Sequence, residues 1–218
     1  MEVTGKDFKT YIKKIIAMIE LKKDYLCELD RKIGDGDHGV TMSIGFQAVN
    51  EMLEDDLNNE QECSKISVKV GKTFLNAVGS SVGPLYGTGF MRGAKEIKKK
   101  ETLNEEDLIA FWIAFGKGVK ERGQAEVGDK TMVDTFNPFV ESLENSNVES
   151  NDFFEIFQNA VAAAKNGMES TKDLLSKKGR SSRLGDRSIG ALDPGATSAY
   201  LIVNTFLEFI EELSQATK

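Results

Sequence analysis

The chain has 218 residues, 40% of them apolar and 29% charged, the make-up of an ordinary folded domain with a core of its own. Its formal net charge of −7 excludes a basic footprint for a nucleic-acid backbone or an anionic membrane. It does not exclude a phosphate ligand, because a metal or a local arginine reverses the sign at a site.

Helical spacing runs through almost the whole chain. Phe8, Tyr11, Ile12, Ile15, Ile16 and Ile19 follow the i, i+3, i+4 pattern and predict a first helix from about residue 6 to about 28. Val40, Ile44, Ala48 and Met52 predict a second apolar stripe, and Ile66, Val70, Phe74 and Val78 a third. Pro84 is expected to start a fourth helix. Asn104 with Asp107 three residues on reads as a capping box before the apolar run 108–115. Further helices are expected near Lys130 with Met132, Val133 and Phe136, after an Asn151 cap with Phe154, Phe157, Val161 and Ala164, and from an Asp193 cap with Pro194 at the first helical position. That makes about eight helices and no convincing strand. The chain reads as one all-α domain over residues 1–218, either an eight-helix bundle or an eight-helix barrel; periodicity does not separate the two.

Cys27 and Cys63 make neither a disulfide framework nor a metal cluster, which suits a reducing, cytoplasmic setting. The N-terminus shows no signal-peptide pattern, and no apolar run is long enough to span a membrane.

Three glycine-dense stretches interrupt the helices. The first, residues 30–39, holds Asp30, Asp35 and Asp37 around Gly34, Gly36 and Gly39. Three carboxylates in one loop suit a hard cation such as Mg²⁺; a solvated acidic turn with Asp37 as helix cap reads the same residues differently. Residues 34–39 match GxGxxG only formally, since no strand precedes them and the loop is acidic. An EF-hand starting at Asp35 would need Glu where Phe46 stands, and a P-loop ending at Gly71-Lys72-Thr73 would need glycine where Ile66 stands. His38, the one histidine, is either a structural hydrogen-bonder or a functional group, a phosphohistidine carrier among the options. The second stretch, 79–89, could turn Gly79, Ser80 and Ser81 into an amide nest for phosphate or could simply connect two helices. The third, 179–195, brings Arg180, Arg183 and Arg187 to the start of the last helix, a phosphate-friendly pairing or a charged surface loop.

Taken in order, Asp-Gly-Asp-His-Gly (35–39), Gly-Pro-Leu-Tyr-Gly-Thr (83–88), Lys-Thr-Met-Val-Asp (130–134) and Gly-Asp-Arg-Ser-Ile-Gly with Asp-Pro-Gly-Ala (185–196) resemble the L subunit family of the dihydroxyacetone kinases. The resemblance spans about residues 8 to 210. It implies an eight-helix barrel that binds ADP or ATP at one end through two Mg²⁺ ions. It implies metal ligation by Asp30, Asp35 and Asp37. It places nucleotide contacts on His38, Gly39, Val40 and Thr41, on Gly79 and Ser80, on Gly123 and Met132, on Arg180, and on Asp193, Pro194 and Gly195. It gives Arg180 and the three aspartates the catalytic roles. A chain of this size resembles the phosphotransferase-system-dependent form. There a multiphosphoryl subunit of that system recharges bound ADP, and dihydroxyacetone sits on a separate K subunit. A nucleotide-binding regulatory module, or an ATP-exchanging subunit for another small ketose, is the alternative. Ser80-Ser81, Ser181, Arg183 and Ala191 depart from the residues frequent in that family.

Overall fold

Thr4 and Asp7 close a reciprocal capping box, Asp7 N–H to Thr4 Oγ1 at 3.2 Å and Thr4 N–H to Asp7 Oδ2 at 3.0 Å. From that cap α1 runs Gly5–Ile33, longer at both ends than its apolar spacing predicts. The computed structural model describes residues 1–55, 57–146 and 152–216. After α1 come α2 (His38–Asp55), α3 (Cys63–Ala77), α4 (Val82–Glu96), α5 (Glu105–Gly123), α6 (Val133–Glu144), α7 (Phe153–Ser170) and α8 (Pro194–Ala216). The Asn104–Asp107 box is present at α5. Asn151 lies outside the described residues; the side chain of Asp152 caps α7 through Phe154 N–H and Glu155 N–H. The fourth helix begins at Val82, two residues before Pro84, whose missing N–H falls harmlessly in the first turn. The expected absence of strand fails in one place. Val3–Thr4 (β1) and Thr102–Leu103 (β2) form a two-residue antiparallel pair that ties the start of α1 to the start of α5.

Each helix packs on its sequence neighbours, and α1 also packs on α8, so the eight close into a ring. The barrel is therefore the right choice over an open bundle. Aromatic rings fill its interior. Trp112 lies edge-on to Phe139 at 5.7 Å and to Phe206 at 5.2 Å, and Tyr11 meets Phe206 at 5.1 Å. Tyr11 satisfies its buried hydroxyl on the Ile202 carbonyl at 3.2 Å, linking α1 to α8 across the seam.

The second predicted stripe is corrected. α2 turns Met42, Phe46, Val49 and Leu53 inward, while Val40 and Ile44 stay exposed. The larger inward set, led by Phe46 against Phe74 at 4.9 Å, decides the rotation of the helix. Gly39 sets its distance from α1: a Cβ there would lie 2.0 Å from the Lys23 carbonyl oxygen. Cys27 and Cys63 are free and buried. Among the described residues no helix is long and apolar enough to cross a membrane.

Candidate functional site

The three glycine-dense stretches meet at one end of the ring. There they line a cleft of about 590 Å³, together with the segment joining α5 to α6. Convergence of segments this far apart in sequence follows from ring closure, since the 30–39 loop leaves α1 and the last stretch enters α8.

The acidic loop is built from α1 downward. Asp30 sits on the last turn of α1, buried, and its Oδ2 accepts Asp37 N–H at 2.9 Å and His38 N–H at 3.1 Å. It thus satisfies the first free amides of α2, a task that the sequence pattern gives to the Asp37 side chain. Gly36 turns between the other two aspartates in the left-handed region, at φ 79°. Asp35 and Asp37 are half-exposed, and one oxygen from each of Asp30, Asp35 and Asp37 lies within 4.8 Å of the others. The Arg180 guanidinium reaches across the cleft mouth to pair with Asp35 and, at 3.5 Å, with Asp37. Three converging carboxylates, two of them paired with one arginine, fit a hard divalent cation: the donors are all oxygen, and their charge calls for more than a single guanidinium.

His38 faces inward and is 7% exposed. Its Nε2 lies 2.9 Å from Ser198 Oγ, which also receives Tyr86 Oη at 3.0 Å and donates to the Gly195 carbonyl at 3.0 Å. Ser198 has one proton, already spent on Gly195, so Nε2–H and the Tyr86 hydroxyl both donate into Ser198 Oγ. Burial depresses the imidazole to about 4, against the pull of Asp30. A neutral, buried ring with Nε2 engaged ties α2, α4 and α8 together and makes a poor phosphohistidine carrier.

Asp193 caps α8 as the sequence predicts, its Oδ2 accepting Ala196 N–H at 2.8 Å. Burial raises its carboxyl to about 7, with Ala196 N–H and Lys130 opposing the shift. The folded state therefore holds a proton on Asp193 that the unfolded chain releases above the ordinary 3.8, so this group makes stability fall as pH rises from about 4 to about 7. His38 does the reverse between about 4 and the ordinary 6.5, because the unfolded chain takes up the proton that the fold refuses. The two contributions oppose each other in the wild-type chain. Asp193→Asn keeps the cap and unmasks His38. Urea denaturation in EDTA then gives stability rising between pH 4.5 and 6.5 by on the order of 1 kcal/mol per pH unit, where wild type is flatter. Equal slopes for the two proteins would refute the pairing.

Ser80 and Ser81 line the cleft, and the buried Ser80 hydroxyl has no hydrogen-bond partner among the described residues, the condition of a group awaiting a ligand. Gly123, Met132, Pro194 and Gly195 line it too. Gly39, Val40, Thr41 and Gly79 do not: the first packs on α1, Val40 faces solvent, and nothing lies within 4 Å of a Cβ at Gly79. Of the third stretch's arginines only Arg180 lines the cleft; Arg183 and Arg187 stand outside its wall, in a 3₁₀ segment over Arg180–Ser188.

Sequence reasoning missed four residues. Arg122 and Lys178 line the cleft as exposed cations, and no local pattern marks them. Asp134 and Lys130 belong to the 130–134 motif, yet the resemblance gives a role there to Met132 alone. The helix expected near Lys130 starts at Val133, because Lys130 adopts the left-handed region at φ 62°. Asp134 pins that segment, accepting Gly128 N–H at 2.6 Å and Thr131 N–H at 2.7 Å.

The DAK2 domain family matches residues 32–208, which includes Asp35, Asp37, Arg180 and most of α8. The chain belongs to the DAK2 domain family. Two relatives resemble it over nearly their whole length. It is 42% identical over 90% of both chains to the PEP-dependent dihydroxyacetone kinase 2, ADP-binding subunit DhaL, of Listeria innocua. It is 40% identical to the corresponding PEP-dependent ADP-binding subunit of Escherichia coli, over 84% of this chain and 86% of that one. Among solved structures, part of the dihydroxyacetone kinase of C. freundii in complex with AMP-PNP and Mg²⁺ shares the fold of this chain. The TM-score is 0.66 and the identity 24%, over 91% of this chain and 33% of that one.

Proposed function

We propose that this DAK2 chain is the nucleotide-carrying subunit of a phosphotransferase-system-dependent dihydroxyacetone kinase. It holds ADP that a multiphosphoryl subunit of that system converts to ATP, and the γ-phosphoryl passes to dihydroxyacetone on a separate K subunit. The observation that carries the reading is the meeting of Asp30, Asp35 and Asp37 with Arg180 and the N-terminus of α8 in one cleft. The near full-length likeness to ADP-binding subunits supports the phosphotransferase-dependent form over the fused, exchanging one.

Two Mg²⁺ ions and the adenine nucleotide, when bound, supply charge neutralisation and the phosphoryl carrier. Asp30, Asp35 and Asp37 would hold the cations; Asp30, fixed by two backbone amides, is the rigid member of the set. Arg180 offers a planar fork to a phosphate once cations take over its carboxylate partners. The positive end of the α8 dipole and the partnerless Ser80 hydroxyl offer further attraction to anionic oxygen. Ile33, Val82, Pro84, Leu85, Ala125 and Met132 form an apolar wall suited to a purine face. Phosphoryl transfer needs positioning and charge stabilisation more than a protein nucleophile, and no cysteine is among the described residues lining the cleft.

Native mass spectrometry of the gently purified chain, with and without EDTA, tests the reading. ADP retained with Mg²⁺ and shed on chelation is expected. So is transfer to dihydroxyacetone once a K subunit and the phosphorylated donor are supplied. Retention without transfer would favour a regulatory module, and failure to bind ADP with Mg²⁺ would overturn the reading.

A further inference from the structure

Lys130 is among the largest fully buried side chains, at 1% exposed, and it stands in a backbone conformation that costs a lysine energy. A residue kept there at that cost is held by what surrounds it. Asp134 fixes the segment from one side, and on the other the ammonium donates to the Thr171 and Ala191 carbonyls, both at 2.6 Å.

Those two carbonyls are the neck of a loop. Asp193 N–H bonds Thr171 Oγ1 at 3.0 Å and Gly190 N–H bonds the Lys172 carbonyl at 2.7 Å, so residues 171–193 leave and return at one point. Inside the loop, Ser188 Oγ accepts Ser176 N–H at 2.9 Å, and Ser176 Oγ meets Ser181 Oγ at 2.6 Å. Hydrogen bonds thus brace the loop from the Lys130 ammonium at its neck to Ser181, the residue after Arg180. The Arg180 side chain is exposed, and its ion pairs among the described residues are with Asp35 and Asp37, so the backbone beneath it sets its aim.

We infer that Lys130 is a positioning residue: by stitching both arms of the 171–193 neck it aims Arg180 at the acidic loop and at the phosphate of a bound nucleotide. This rests on the nucleotide site proposed above. A lysine that served stability alone would leave the contribution of Arg180 to binding intact, and that difference is measurable.

The test is a double-mutant cycle on the full chain, reading ADP affinity in the presence of Mg²⁺ by titration calorimetry. Arg180→Gln is expected to weaken binding about tenfold in the native background. In Lys130→Met, which keeps length and loses every donor, the same Arg180→Gln change is expected to cost less than about threefold. Lys130→Gln, with one donor arm left, carries the same cycle if the methionine variant does not fold. An equal cost of Arg180→Gln in both backgrounds overturns the positioning role and leaves the site standing. No cost in the native background removes Arg180 from the site, and the inference falls with it.

Discussion

Asp35→Ala is expected to weaken Mg²⁺-dependent ADP binding by at least about 100-fold while leaving the fold unchanged. The aspartates of the acidic loop divide two tasks between them. Asp35 is half-exposed and its protein partner is the exposed Arg180, a surface pair worth at most about 1 kcal/mol. Its removal also relieves repulsion from the carboxylates within 4.8 Å. Asp30 differs. It is buried and holds Asp37 N–H and His38 N–H, so Asp30→Ala strips the start of α2 as well as the metal site. Calorimetric titration of ADP with Mg²⁺, beside urea denaturation in EDTA, distinguishes the two. Wild-type affinity in Asp35→Ala would sink the metal assignment. A large stability loss there would show instead that Asp35 supports the loop.

Asp134→Ala is expected to cost about 2–4 kcal/mol of stability and to damage the cleft at a distance. Asp134 is 1% exposed, and its two oxygens hold Gly128 N–H at 2.6 Å and Thr131 N–H at 2.7 Å. Alanine leaves both amides without a partner, and each unsatisfied group costs about 1–3 kcal/mol. For a chain of this length the loss lowers Tm by roughly 4–16 °C. The segment released includes Lys130, Thr131 and Met132, all in the cleft wall, so ADP affinity falls together with stability. Thermal denaturation and calorimetry on one preparation check both. A Tm within about 2 °C of wild type would mean that water replaces the carboxylate at those amides.

Much of the molecule is legible in the amino-acid sequence alone. Helix existence follows from local rules. The i, i+3, i+4 spacing of Ile12, Ile15, Ile16 and Ile19, the Asn104–Asp107 box and the Asp193-Pro194 start each act within a turn or two, and each is present in the fold. The three glycine-dense stretches stand out by composition, although the second runs on into α4, where Gly87 and Gly89 allow close approach to α3 and α5. The motifs are specific enough to imply the kinase family and to point to the three aspartates that lie together at the cleft.

What sequence leaves open is every question settled by contact between distant segments. Val40 and Ile44 share helical spacing as good as that of Met42 and Phe46, and only packing against α3, with Phe46 on Phe74, chose the inward face. Bundle or barrel was decided by α1 meeting α8, from opposite ends of the chain. The partners of Lys130 are two backbone carbonyls, which every residue type carries, so no residue pattern announces them. Arg122 and Lys178 read as surface charge until ring closure places them at the cleft. Periodicity and capping depend on neighbours along the chain; a site gathered from distant segments depends on free-energy terms that exist only once those segments have packed.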